Sequence, residues 1–382
     1  MLVNDVDASR LRRLAALKPQ RARVLSLYLD LEPTEFATPP ARESELTSAL
    51  DAAARMADEA GLEHDARVAI REDIERARAA LLDDGLDAKG ARAVAVFVCG
   101  PADLFEVVKL PRPVATHVTI DDSPWIEPLV RLGAAQHVAV TLIDRHNLRL
   151  FHGTAESLEE LDPDAPELRP PRDAGHVHER RHRTATDDEA RAHFEHAGHA
   201  LLALLKTRGY DALVLDVRNE YRSAIVDSLH PYVRERLVGE IDVDVSSATA
   251  DAVRRAAAEV LAEVHARKVG EALERLREGL GRGVRAAAGL NDVLAALNER
   301  RVEVLLYEQG RALTGVVCPA DGWFGVGEDE CPIDGTPLER RDDILENAAE
   351  AAVLQDAEVL VIDPVEHPDL GPHGGVGAVL RF

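Results

Sequence analysis

The sequence predicts an α/β protein built from more than one domain, and three observations carry that reading. Apolar runs of strand length, such as Val24 to Leu29, Ala93 to Cys99 and Val138 to Ile143, alternate with longer stretches whose apolar residues recur every three or four positions. The chain has 382 residues, against roughly 100–200 for an ordinary domain. Hydrophobic residues make up 46% but aromatics only 4%, so the cores must be aliphatic. Alternation of strand and helix then implies sheets covered by packed helices.

The first segment, residues 1–130, opens with a short helix signal over Ser9 to Leu17. The run Val24 to Leu29 follows as a strand, stopped by Glu32-Pro33. Residues 42–60 and 63–82 carry helical periodicity. Ala93 to Cys99 is a buried strand, and Leu104 to Leu110 and His117 to Ile120 continue the sheet. Cys99, ending a buried strand, is expected in the core.

The second segment, residues 131–267, begins with the strand His137 to Asp144. Arg145-His146-Asn147 reads as a turn, and Leu148 to Phe151 as the returning strand of a hairpin. From about 162 to 186 the periodicity disappears into a Pro-, Asp-, His- and Arg-rich loop, long enough to suggest a functional role. Thr186 and Glu189 form a capping-box signature for a helix reaching Lys206. Tyr210 to Val217 and Ile241 to Val245 are the next predicted strands, and a long helix covers 248–280.

The third segment, residues 268–382, starts with a helix over Gly289 to Glu299 and a strand over Val302 to Tyr307. An insert at 315–340 carries Cys318 and Cys331. A helix near 344–356, a strand at Glu358 to Ile362 and a terminal strand at Val376 to Phe382 complete an α/β sandwich.

A net charge of -24 argues against a generally basic nucleic-acid coat. Three cysteines do not make a disulfide framework. The amino-terminal residues lack an apolar signal region, and no apolar stretch approaches the roughly 20 residues of a membrane span. The expectation is a soluble, cytoplasmic protein without membrane association.

Two stretches carry a family resemblance. Gly289-Leu290-Asn291-Asp292-Val293-Leu294-Ala295-Ala296-Leu297 leads into Val302-Glu303-Val304-Leu305-Leu306-Tyr307. The chain closes with Gly374-Gly375-Val376-Gly377-Ala378-Val379-Leu380-Arg381-Phe382. The second stretch resembles the Gly-Gly-Ile-Gly-x-Ile-Leu-Arg-Tyr ending of archaeal and eukaryotic release factors. Together they make the chain similar to a bacterial member of the peptide chain release factor/Pelota superfamily. Ser26-Leu27-Tyr28-Leu29-Asp30 and the central order of hairpin, loop, helix and strand agree more loosely. The resemblance implies three domains with the boundaries given above.

It further implies a tRNA-shaped factor for the A site of the 70S ribosome, touching rRNA and P-site tRNA and partnered by a translational GTPase such as elongation factor Tu. The central loop of true release factors bears Gly-Gly-Gln, whose Gln positions water at peptidyl-tRNA. Here no Gln occurs between Gln136 and Gln309. That departure is shared with Pelota-type rescue proteins and Balon-like ribosome hibernation factors. The expected role is therefore hibernation or stalled-ribosome rescue by binding, without catalytic residues or a cofactor. A peptidyl-tRNA hydrolase or release factor with a nonstandard loop, using His176 or His178 as general base, is the alternative.

The loop contributes Arg172, His176, His178, Arg180, Arg181, His182 and Arg183, the densest cationic cluster of an acidic chain and the candidate RNA contact. A metal held by His176, His178 and His182 lacks supporting ligand spacing. His193, His196 and His199 share a helix face and are expected as surface positions. In the insert, Cys318-Pro319-Ala320-Asp321 and Cys331-Pro332-Ile333-Asp334 look like a zinc knuckle with Asp replacing half of its cysteines. A knuckle holding its shape without metal is preferred over zinc on Cys318, Asp321, Cys331 and Asp334.

Overall fold

The computed structural model describes residues 6, 8–19, 22–31, 38–83, 91–132, 137–168 and 185–382. They form a mixed α/β protein with four sheets. The chain divides into two compact units, residues 1–135 together with 269–382, and residues 136–268.

In the first unit one sheet runs in the order β3-β2-β1-β4, with β1 Val24–Asp30, β2 Ala93–Cys99, β3 Leu104–Leu110 and β4 His117–Asp121. All its pairings are antiparallel. Strand alternation sends Leu25, Leu27 and Leu29 to one face, where they pack with Leu46, Leu50, Ile70 and Ile74. Those partners lie on α2, Pro39–Glu59, and α3, His64–Arg78. Val24 and Tyr28 point to the opposite face, against Leu11 and Leu14 of α1, Ala8–Ala15, and Leu129 of α4, Glu127–Leu132. Ser26, buried on that face, is satisfied by the Trp125 backbone N–H at 2.9 Å. Each leucine buried this way contributes roughly 1.5–3 kcal/mol, which favours holding the sheet between its helices.

A second sheet of this unit has the order β10-β16-β11-β15, from β10 Ala286–Ala288, β11 Val302–Glu308, β15 Glu358–Ile362 and β16 Val376–Leu380. Strands β11 and β15 are parallel, the other pairings antiparallel. One face packs on α9, Leu290–Asn298, and α10, Leu345–Leu354. The other packs on Val269, Leu273 and Leu276. Gly377 lies under Leu276, whose Cδ2 would be 2.7 Å from an added Cβ, so its lack of a side chain permits the contact. Between β11 and α10 the insert folds as a small sheet, β13-β12-β14, from β12 Gly315–Val317, β13 Phe324–Gly325 and β14 Glu339–Arg341.

The second unit is built on the sheet β7-β6-β5-β8-β9, from β5 Val138–Ile143, β6 Leu148–Gly153, β7 Leu158–Leu161, β8 Ala212–Val217 and β9 Leu237–Glu240. β5, β6 and β7 form an antiparallel meander, while β5, β8 and β9 run parallel. α5, Ala185–Thr207, covers one face with Leu201 and Leu204. The other face receives Val253, Ala257 and Leu261 of α8, Ala250–Arg282. α6, Asn219–Ser228, and α7, Pro231–Arg234, connect β8 to β9.

Two sequence expectations need correction. Ile241 to Val245 is not a strand; β9 ends at Glu240. Beyond it the Ile241 N–H still donates to Leu215 O at 2.9 Å, but the Val243 N–H turns to the Asp216 carboxylate at 3.4 Å. The alternating Ile241, Val243 and Val245 instead pack as irregular chain on the sheet's edge of the core. The stretch expected as loop, 162–186, includes a 3-10 turn over Pro166–Leu168 and the first residues of α5, which starts at Ala185.

Candidate functional site

The insert brings together the four residues singled out in the sequence as a degenerate knuckle. The Sγ atoms of Cys318 and Cys331 and carboxylate oxygens of Asp321 and Asp334 all lie within 4.8 Å of one another. Both cysteines are buried and both aspartates exposed. Two similar turns create the cluster. Gly322 N–H donates to Cys318 O at 3.0 Å, and Gly335 N–H to Cys331 O at 2.9 Å. Gly322 and Gly335 have φ of 78° and 75°, a region that glycine enters without steric cost. Asp321 Oδ1 then accepts the Trp323 N–H at 2.9 Å, and Asp334 accepts both N–H and hydroxyl of Thr336.

The donor set and spacing suit a tetrahedral zinc ion, which Cys318, Asp321, Cys331 and Asp334 would hold as a structural staple. The same groups are also internally satisfied. Cys331 Sγ donates to Asp321 Oδ2 at 3.5 Å, and burial holds its thiol above the ordinary range. Hydrogen bonds from Trp323 and Thr336 hold the two aspartates below theirs. Each turn is closed by its own Asp, as the local sequence foretells.

The candidate RNA-contact residues Arg172, His176, His178, Arg180, Arg181, His182 and Arg183 lie outside the described residues. On α5 the three histidines do not converge. His193 Nε2 lies 3.3 Å from Asn147 O, His196 Nε2 lies 3.5 Å from Asp164 Oδ1, and His199 is exposed. Among the described residues the cysteine–aspartate group is the metal-compatible cluster.

The two ends of the central sheet differ chemically. At the carboxyl ends of the parallel strands stand Asp144, Asp216, Asp242 and Asp244. Burial, reinforced by those neighbouring aspartates, pushes the Asp216 carboxyl up to about 6. At the amino ends stand His137, Tyr210 and Arg236. His137 and His152 stack with centroids 5.7 Å apart, and burial lowers the His152 imidazole below its ordinary range. Arg236 donates to Tyr210 O and Tyr232 O. Sequence reading missed this polarity, because it exists only once parallel pairing aligns the ends of three strands distant in sequence; the local signal was the run His230-Pro231-Tyr232-Val233-Arg234-Glu235-Arg236.

A further acidic group, half-buried, lies in the first unit. Glu346 on α10 is pushed up to about 8 by burial, with Asp121, Glu350 and Asp343 adding to the effect and Arg341 opposing it. Arg341 pairs with Asp121 at 2.9 Å, and Lys18 with Glu350 at 2.8 Å.

Residues 124–268 match the bacterial archaeo-eukaryotic release factor family 10, a stretch that ends where the second compact unit ends. Among solved structures, an archaeal translation termination factor, aRF1, is 17% identical over 99% of both chains, with a TM-score of 0.25. The carboxyl-terminal domain of a peptide chain release factor from Methanosarcina mazei is 25% identical over 33% of this chain and 90% of that one, with a TM-score of 0.26. Pelota from Archaeoglobus fulgidus is 19% identical over 76% of this chain and 79% of that one, with a TM-score of 0.33. No curated protein matches the chain. No helix among the described residues is long and apolar enough to cross a membrane.

Proposed function

We propose that this chain, which belongs through residues 124–268 to the bacterial archaeo-eukaryotic release factor family and with it to the release factor/Pelota superfamily, is a ribosome-binding factor of the A site that acts in hibernation or stalled-ribosome rescue. The observation that carries this reading is the family match of the central unit, combined with a sequence that contains no Gly-Gly-Gln. A central domain of release-factor type without the glutamine that positions water is suited to occupying the A site beside peptidyl-tRNA rather than to hydrolysing that ester.

In this reading the chain works in the cytoplasm as three functional domains, 1–130, 131–267 and 268–382. The first faces the decoding centre, the loop of the second reaches toward P-site tRNA, and the third meets a translational GTPase such as elongation factor Tu. Arg172, Arg180, Arg181 and Arg183 supply phosphate contacts, with His176, His178 and His182 beside them. Arginine suits this role because its planar fork matches phosphate oxygens. The acidic remainder of the protein suppresses nonspecific RNA binding.

The test is co-sedimentation with vacant 70S ribosomes, with peptidyl-tRNA hydrolysis followed in the same mixtures. Salt-sensitive binding without turnover is expected, weakened by joint replacement of Arg180, Arg181 and Arg183 with Ala. Binding with turnover would instead identify a hydrolase. Absence of binding, with and without the GTPase, would remove the ribosome as the target.

A further inference from the structure

We propose that the turn His230 to Arg236, at the amino-terminal edge of the central sheet, is a second nucleic-acid contact that takes a stretch of single-stranded RNA, with an unpaired base on Tyr232 and phosphates on Arg234 and Arg236. The inference rests on the RNA-facing role proposed above, but on residues other than those of the arginine-rich loop.

Tyr232 is 60% exposed, an unusual position for a large ring in a chain with so few aromatics. It is held rather than loose. Pro231 opens α7, the neighbouring Val233 is fully buried, and the His230 ring stands 5.0 Å from the Tyr232 ring at 55°. The Tyr232 N–H donates to His230 Nδ1 at 3.3 Å, so that nitrogen is the acceptor and Nε2 carries the proton outward.

The two arginines are fixed by carbonyl oxygens. Arg236 donates from Nε to Tyr210 O at 3.0 Å and from Nη1 to Tyr232 O at 2.5 Å. Arg234 Nη2 reaches Asp227 O at 3.4 Å and Leu229 O at 3.5 Å. A carbonyl orients a guanidinium without cancelling its charge, whereas most described arginine contacts to side chains in this protein are ion pairs. Among the described residues neither Arg234 nor Arg236 has a carboxylate partner within salt-bridge distance; Glu235, the one acid of the turn, is exposed. The result is a pair of oriented, uncompensated cations beside an immobilised ring, in a protein of net charge -24.

That combination recognises a phosphodiester chain carrying splayed bases: the ring offers a stacking face and the guanidinium forks meet phosphate oxygens. Duplex RNA presents no free base face, and an acidic peptide would use the arginines but leave Tyr232 without a matching surface.

The experiment is a fluorescence-anisotropy titration of the full chain with an oligouridylate of about ten nucleotides, within the usual site size of single-strand binders. It is run on the parent and on the chain in which Arg180, Arg181 and Arg183 are replaced by Ala, so that loop contacts are separated. In both backgrounds Tyr232→Ala is expected to weaken binding about tenfold, and Tyr232→Trp to retain it. Arg234→Gln should reduce the slope of log affinity against log salt by about 0.7, one phosphate's worth on a single strand. Both substituted positions, Tyr232 and Arg234, are exposed, and unchanged thermal unfolding verifies folding. Equal binding by parent and Tyr232→Ala overturns the proposal. So does displacement of the RNA by polyglutamate with equal loss in Tyr232→Ala, which would mark a protein-binding face. Ribosome co-sedimentation reads the earlier proposal separately: oligonucleotide binding through Tyr232 without ribosome binding would refute that one and leave this one standing.

Discussion

Asp216 in the central sheet and Glu308 in the carboxyl-terminal sheet occupy matching places and meet opposite fates. Each lies at the carboxyl end of a parallel strand, β8 and β11. Their exposures, 6% and 5%, are nearly equal. Asp216 faces Asp144, Asp242 and Asp244, and the Val243 N–H donates to it only at 3.4 Å. Glu308 receives Arg311 Nη2 at 2.5 Å, and Gly375 lies against the pair. Depth is the same in both sites, so the neighbours make the difference: a guanidinium stands against Glu308, and three carboxylates stand around Asp216. The comparison also explains the Gly374-Gly375 signature. Gly375 has φ of 81°, and an added Cβ would stand 2.4 Å from Arg311 Nε and 2.6 Å from Glu308 Oε2. The second glycine is required by an ion pair as much as by the turn.

The contrast can be broken first at that glycine. Gly375→Ala combines left-handed backbone strain of about 1–2 kcal/mol with displacement of Arg311 from the buried Glu308. It should cost about 4 kcal/mol in chemical denaturation, mostly from loss of the pair. Arg311→Ala leaves the strain out and should cost about 3 kcal/mol, at the low end for an orphaned buried charge, since the Arg311 side chain is 38% exposed. A loss below that of an ordinary surface substitution would show that Glu308 does not depend on its partner.

Asp216→Asn should act in the opposite direction. The folded-state value of Asp216, about 6, lies above its ordinary 3.8. Ionisation therefore opposes folding: the penalty begins as pH rises past about 4 and is complete above about 6. The variant should be more stable than the parent by about 3 kcal/mol at pH 8 and close to it at pH 4, as read from unfolding at the two pH values. An equal gain at both would separate the effect from titration. The smallest effect is expected at the knuckle. Because Asp321 and Asp334 close their own turns, exhaustive chelation should leave thermal unfolding unchanged. A lowered midpoint with loss of stoichiometric zinc would make the metal the staple.

What the sequence disclosed follows from the range of the interactions involved. Glu358 to Ile362 is a strand with the bounds expected, because an apolar run between polar turns encodes it locally. Both turns of the knuckle were legible for the same reason, down to Asp321 and Asp334. Ile241 to Val245 misled because its alternation serves core packing rather than a ladder. The Gly374-Gly375 turn was readable as a turn, but its dependence on Glu308 and Arg311 was not, since those residues lie more than 60 positions away. The same holds for the aspartates around Asp216, gathered from three strand ends. The unpaired arginines of the His230 to Arg236 turn were hidden for a subtler reason: sequence shows a charge but not whether its partner is a carbonyl or a carboxylate.

The placement of the two tryptophans has an optical consequence. Trp125 sits in the first segment, its backbone carbonyl accepting the Tyr28 hydroxyl at 2.7 Å and its ring 4.7 Å from that of His117. Trp323 belongs to the knuckle, where its N–H closes the Asp321 turn. None lies in residues 136–268. Intrinsic emission thus reports two regions of one unit, with a protonatable quencher beside the first reporter and the cysteine–aspartate cluster beside the second. The central unit, which carries the family match, is dark at those wavelengths. Tyr232→Trp would light it at the surface proposed to receive a base, so that stacking, and the unfolding of that unit alone, could be watched as a change in colour.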